Sequence, residues 1–324
     1  MTDVAAAAGV ALVTVSRCIN EPDKVAPETL AAVRDAILRL GYVPNLNAGS
    51  LASNRSRIVA AIVPTISNSV FSEMIEVLAR TLNAEGYQLL LGQSSYVAED
   101  EERLIETFLG RRVDGLVLTG EPGSDRVGAR LRRLRLPVVQ TWDLPAKPID
   151  MTVGFSNHEA GAAAGRYLVG KGYRAIGFLG ADEHRARQRL AGFTSALTGA
   201  GLAPPVVSMP PPPVLIDQSG PALAEMQRQR PDLDAVFCNN DLLAAGILFD
   251  CARTGRRVPR DVAVMGFGDM PIATAAHPRL TTIRIGRAAM GEQAGRMLLA
   301  RFAGGKVAQK KVDIGFEVVE RDSV

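Results

Sequence analysis

The chain is short of the residues that carry redox, metal and nucleophile chemistry. Its 324 residues include three cysteines and three histidines. Cys18, Cys238 and Cys251 stand far apart, with no metal-ligand spacing. That excludes a disulfide framework, and all three read as small core or helix residues in a reducing compartment. His158, His184 and His277 are dispersed in the same way, there is no phosphate-cradling P-loop, and Gly266-Phe267-Gly268-Asp269 lacks the dinucleotide spacing. No catalytic set, metal or cofactor is therefore expected, and the chain reads as a non-enzyme. No apolar run approaches the ~20 residues needed to span a bilayer. No apolar N-terminal run follows a basic stretch, so no export signal is expected, and a cytoplasmic protein is. Charge of one sign is also missing: 37 Lys and Arg face 34 Asp and Glu, a net of +3.

The chain does have the length and the hydrophobic fraction, 47%, for two or three domains with sizeable cores. From residue 58 onward, apolar runs of about five residues alternate with amphipathic helical stretches, as strands covered on both faces require. The candidate strands are 59–63, 88–92, 115–119, 137–141, 175–180, 235–239 and 262–266. The candidate helices are 72–84, 100–109, 158–171, 187–198 and 242–254. Repeated β-α-β units predict parallel sheets that bind ligands at the carboxyl ends of their strands. Pro210–Pro213 reads as a rigid polyproline II connector on the surface.

Residues 3–57 are organised differently. Val4 to Ala8 is a short helix former, and Gly9 enters a tight turn without a Cβ penalty. Thr14 to Ile19 then opens a second helix. Two short helices joined by a Gly-containing turn describe either a helix-turn-helix, whose second helix lies in a DNA major groove, or an ordinary αα-hairpin. Charge does not decide between them. Arg17, Lys24, Arg34, Arg39, Arg55 and Arg57 face Asp3, Glu21, Asp23, Glu28 and Asp35, a net of +1.

The motif decides it. Asp3-Val4-Ala5, Gly9-Val10, Thr14-Val15-Ser16-Arg17, Ile19-Asn20, Leu40-Gly41-Tyr42 and Pro44-Asn45 together resemble the N-terminal domain of the LacI/GalR family of bacterial repressors. The likeness extends over the whole chain. It implies a small all-α helix-turn-helix domain over 1–44, a hinge helix or linker over 45–57, and an α/β two-lobed, type I periplasmic-binding-protein-like domain over 58–324. The lobes are expected to be discontinuous, one holding about 58–156 plus 284–312 and the other about 157–283 plus 313–324. The likeness also implies a homodimeric transcriptional repressor that binds an inverted-repeat operator and is switched by a small molecule. Leu12, Val13 and Arg17 fall where the family reads base edges, while Thr14, Ser16 and Asn20 fall where it holds phosphates. Asn45, Ala48 and Leu51 match the hinge, with Leu51 as the minor-groove wedge. Ala11 departs from the usual Ser or Thr, removing an N-cap worth about 1 kcal/mol. Helix 1 either starts abruptly at Met1-Thr2-Asp3 or has its true start upstream.

In the second domain the resemblance assigns ligand contacts to Asn68, Phe71, Trp142, Ser156, Asn157, Arg189, Asn240 and Gly268, with Asp241 as a helix N-cap. The family often has acids where this chain has Ser156 and Gly268. Losing both while keeping Arg189, with His184, Arg185 and Arg187 nearby, predicts an electropositive cleft for an acidic ligand such as the sugar acid gluconate. Arg185 and Arg187 read as a solvated helix face. Residues 63–77, 114–119, 153–155 and 237–241 also resemble the gluconate-operon repressor branch. The alternative function is a solute-binding protein for a sugar transporter, which shares the cleft but has no use for residues 3–52.

Overall fold

The computed structural model describes residues 1–43, 55–67 and 69–324. Asn45, Ala48, Leu51 and Asn68 lie outside the described residues. The chain forms two compact units, Met1–Ser56 and Arg57–Val324.

In the first unit three helices close around a small aliphatic core. Helix α1 (Thr2–Ala8) ends at Gly9, whose φ of 66° is left-handed and suits a residue without Cβ. Helix α2 (Leu12–Asn20) starts at Ala11, which makes no side-chain cap. Helix α3 (Pro27–Leu40) has proline at its first position, where a missing N–H costs nothing. Val4, Val15, Val33 and Ala36 are fully buried, one or two from each helix, and Cys18 joins them.

The second unit holds two six-stranded sheets. The first runs β11-β5-β4-β3-β1-β2, all parallel, built from β1 (Ile58–Val63), β2 (Gln88–Gln93), β3 (Gly115–Thr119), β4 (Val138–Thr141), β5 (Met151–Gly154) and β11 (Lys311–Asp313). The second runs β12-β10-β9-β8-β6-β7, built from β6 (Ile176–Leu179), β7 (Val206–Ser208), β8 (Ala235–Cys238), β9 (Ala263–Gly268), β10 (Thr281–Ile285) and β12 (Phe316–Val319). All its neighbours are parallel except the β10–β12 pair. The chain passes between sheets after β5, after β10 and between β11 and β12. Strands β2 and β7 lie at the sheet edges farthest from these passages.

Helices pack on both sheets: α4 (Ser72–Asn83), α5 (Ala98–Gly110), α6 (Asp125–Leu134), α7 (Asn157–Gly170), α8 (His184–Gly199), α9 (Ser219–Gln229), α10 (Asp241–Thr254), the short α11 (Pro271–Ala275) and α12 (Arg287–Phe302). Strands β5, β7, β10, β11 and β12 were not among the candidates; all but the five-residue β10 are three or four residues long, too short for a period-2 signal. Helices α6, α9, α11 and α12 were also not among the candidates.

Candidate functional site

A cavity of about 670 Å³ opens between the two sheets of the second unit, at the carboxyl ends of their strands. The segment after β1 supplies Thr65 and Ser67, and the end of β2 and the turn beyond it supply Gln93, Ser95 and Tyr96. The far wall holds Arg185 and Arg189 of α8, Asn239 and Asn240 after β8, and the stretch from Pro212 to Asp217 after β7.

The floor is aromatic. Phe71 meets Trp142 edge-on at 4.9 Å, and Trp142 meets Phe155 at 6.4 Å. Trp142 has a φ of 69°, a left-handed conformation that is costly for an aromatic residue. Its carbonyl oxygen accepts from Asn157 Nδ2 at 2.9 Å, and its indole N–H has no partner among the described residues.

Arg189 is held on every side. Its Nε donates to Asn239 Oδ1 at 2.7 Å and its Nη1 to Asn157 Oδ1 at 2.6 Å, and the guanidinium lies 4.3 Å from the Phe267 ring centre. Burial lowers its pKa to about 10, still well above neutrality. Arg185 reaches across the cleft, donating from Nη1 to the carbonyl oxygen of Thr119 at 3.1 Å. It sits 5.7 Å from the Phe71 ring centre.

Glu183 lies between the two arginines, 3.3 Å from Arg185 Nη2 and 3.5 Å from Arg189 Nη2. It also caps α8, accepting from the N–H groups of Arg185 and Ala186 at 3.1 and 2.8 Å. Burial by itself would raise its pKa. The two guanidiniums and the two N–H groups outweigh that and hold it below the usual carboxylate range.

The structure brings Phe71, Trp142, Arg189 and Asn240 to the cavity wall and keeps Asn157 just behind it, steering Arg189. Several expectations fail. Ser156 does not line the cavity; its hydroxyl caps α7, accepting from Glu159 N at 3.1 Å. Gly268 does not line it either. Its φ of 124° is a region L side chains rarely adopt, so the missing acid follows from backbone shape.

The N-cap is Asn240, which also lines the cavity, and not Asp241. Asn240 caps α10, accepting from Leu243 N at 2.9 Å. Asp241 is fully buried, taking Thr282 Oγ1 and Met270 N, both at 2.6 Å. Arg185 is no solvated face, being 7% exposed, whereas Arg187 is exposed and pairs with Asp182. The cleft is also less electropositive than the loss of two acids suggested. Arg185 and Arg189 in the wall are matched by Glu183 and Asp217. Pro212 and Pro213, read as part of a surface connector, line the wall together with Val214 to Asp217.

In the first unit α2 separates its faces cleanly. Val15 and Cys18 are buried, while Leu12 and Val13 are 49% and 65% exposed, and Arg17 and Asn20 share that exposed side. Asn20 donates to Ser16, to both its carbonyl oxygen at 2.9 Å and its hydroxyl at 3.3 Å. Leucine and valine at the start of an exposed helix face have no packing role in this unit.

A helix-turn-helix joined to a two-lobed, parallel α/β unit with an interlobe cavity is the build of a DNA-binding regulator. Residues 1–45 match the "Bacterial regulatory proteins, lacI family" profile, and residues 166–324 match the "Periplasmic binding protein-like domain" profile. The chain is similar to the HTH-type transcriptional regulator GntR of Pseudomonas aeruginosa, at 36% identity over 100% of this chain and 95% of that protein. To the GntR of Escherichia coli K12 it is 33% identical, over 100% of this chain and 98% of that one. Among solved structures, a LacI-family regulator from Silicibacter pomeroyi superposes with a TM-score of 0.93 at 31% identity, covering 99% of this chain and 98% of that one. The chain belongs to the LacI family: it is a DNA-binding transcriptional regulator and no enzyme. Regulators of this family bind operator DNA and small-molecule effectors and act as dimers.

Proposed function

We propose that the interlobe cavity takes a small sugar acid, with gluconate as the reference ligand, and that its binding releases the protein from an inverted-repeat operator. The carrying observation is the state of three charges in the cavity wall, Glu183, Arg185 and Arg189. Glu183 is occupied by a helix cap and two guanidiniums. Each arginine has five N–H donors, of which Arg185 and Arg189 leave some unspent in the cavity wall. A carboxylate suits the fork of a guanidinium, and the hydroxyls of a sugar chain suit the strip from Thr65 to Ser95. On the DNA side, Leu12, Val13 and Arg17 are the proposed base readers and Thr14, Ser16 and Asn20 the phosphate holders, with Asn45, Ala48 and Leu51 completing the contact from the hinge.

One observation favours a second reading. A cavity of about 670 Å³ exceeds what a six-carbon acid fills, and a solved relative, 29% identical over 99% of this chain with a TM-score of 0.71, is a transcriptional regulator CelR–cellobiose complex. A neutral disaccharide is the corresponding ligand here. Calorimetry with gluconate, glucose and cellobiose separates the two. Heat from gluconate alone, lost in Arg189→Met, supports the acid. Heat from cellobiose alone, with none from gluconate, overturns it in favour of the disaccharide.

A further inference from the structure

A second concentration of charge lies away from the cavity, on helices α5 and α6. They run side by side in the same direction: Arg126 pairs with Glu102 and, a turn further along, Arg130 with Glu106 at 2.7 Å. Past that ladder the two helices carry no further acid. Helix α5 runs out into Arg111-Arg112, and α6 into Arg132-Arg133-Leu134-Arg135. All five arginines are exposed, and none of their guanidiniums has a hydrogen-bond or ion-pair partner among the described residues.

The five share one end of the first sheet. Asp114, two residues after Arg112, donates its N–H to Ile58 O at 2.8 Å, and its carboxylate accepts from Arg57 N at 2.9 Å. Pro137, two residues after Arg135, accepts from Leu116 N at 2.9 Å. The arginines therefore flank the sheet edge where β1 begins, just past the boundary with the DNA-binding unit at Ser56.

Two backbone angles show that the charge is kept at a cost. Arg112 has a φ of 54° and Arg135 a φ of 53°, left-handed positions that glycine fills without strain. A helix dipole favours a cation in the last turn, which accounts for one arginine per helix. It does not account for five like charges in one place, where the adjoining acid, Asp114, accepts from Arg57 N.

We propose that this arginine edge binds the phosphate backbone of DNA flanking the operator, without reading its sequence. Guanidinium forks match phosphate oxygens, and backbone contacts of this kind add affinity through counterion release. The contact also meets a need visible in the sequence, because residues 1–57 carry a net charge of only +1. An acidic protein surface is the competing occupant.

The test uses the full chain and an operator selected from a random DNA pool. Affinity is read by fluorescence anisotropy against salt, on a duplex of about 20 base pairs, enough for two half-sites one turn apart, and on one carrying a similar length of flank on each side. The expected salt slope is steeper on the long duplex, by about 0.9 for each phosphate contacted. In the variant with Arg111, Arg112, Arg132, Arg133 and Arg135 all replaced by alanine the two slopes coincide, and affinity for the short duplex is unchanged. Loss of five contacts removes about 500-fold from the change in long-duplex affinity over a fourfold change in salt. The corresponding lysine variant keeps the steeper slope. Equal slopes for the unaltered protein, or a difference that survives in the alanine variant, overturn the proposal and leave the patch to an acidic partner.

Discussion

Arg185, carried by the second lobe, donates a hydrogen bond to the carbonyl oxygen of Thr119 in the first, at 3.1 Å. The bond ties the carboxyl end of β3 to the start of α8 across the mouth of the cavity. The same guanidinium partners Glu183, so one side chain fixes the lobe separation and also neutralises a buried acid.

Replacing Arg185 with Met therefore leaves Glu183 with a single cation. Breaking a buried pair from one side costs about 3–5 kcal/mol, more than removing both partners. Urea denaturation is expected to show a loss of that order for Arg185→Met, partly recovered in Glu183→Gln/Arg185→Met. A change within the ~1 kcal/mol typical of a surface pair would show that the interlobe bond contributes little.

Helices α7 and α8 approach through two glycines. A Cβ on Gly161 would lie 1.9 Å from Arg189 O, and one on Gly192 would lie 1.9 Å from His158 O. Backbone cannot yield as a side-chain tip can, so Gly161→Ala pushes the helices apart and carries Arg189 with them. Overpacking of this kind costs about 1–3 kcal/mol. Effector affinity measured by calorimetry should fall with the melting temperature. Gly170→Ala, which meets nothing within 4 Å, is the control. It is expected to be neutral or to stabilise by up to about 1 kcal/mol, since alanine is the better helix former. Equal melting temperatures for the two variants would sink the close-packing argument.

Asp241 sets a pH dependence. Burial raises its pKa from 3.8 to about 6, against hydrogen bonds from Thr282 and Met270 that favour the ionised form. A carboxyl whose folded pKa lies above its unfolded value favours folding in its protonated form. Its contribution is complete below the unfolded pKa of about 4 and is lost as pH rises through about 6. Denaturation of the unaltered protein relative to Asp241→Asn should then show stability falling across that window by an amount on the order of 2 kcal/mol. A flat difference between the two proteins from about pH 4 to about pH 7 would place the folded pKa near its ordinary value.

The sequence by itself determined the class of this protein. Local signals carried it: a glycine turn between two short helices, and continuous apolar runs spaced by amphipathic helices. These depend on neighbours within one or two turns, and so are legible along the chain. Strand pairs such as β10–β12 and the passages between sheets placed Arg185, Glu183 and Thr119 together, although Thr119 and Arg185 are 66 residues apart. Tertiary structure alone decided which polar groups face ligand and which serve the fold. Ser156, Asn240 and Glu183 turned out to be helix caps, and Asp241 a buried acceptor. A side chain's chemistry is written in its residue type, but whether its lone pairs are already spent depends on donors brought in from distant segments.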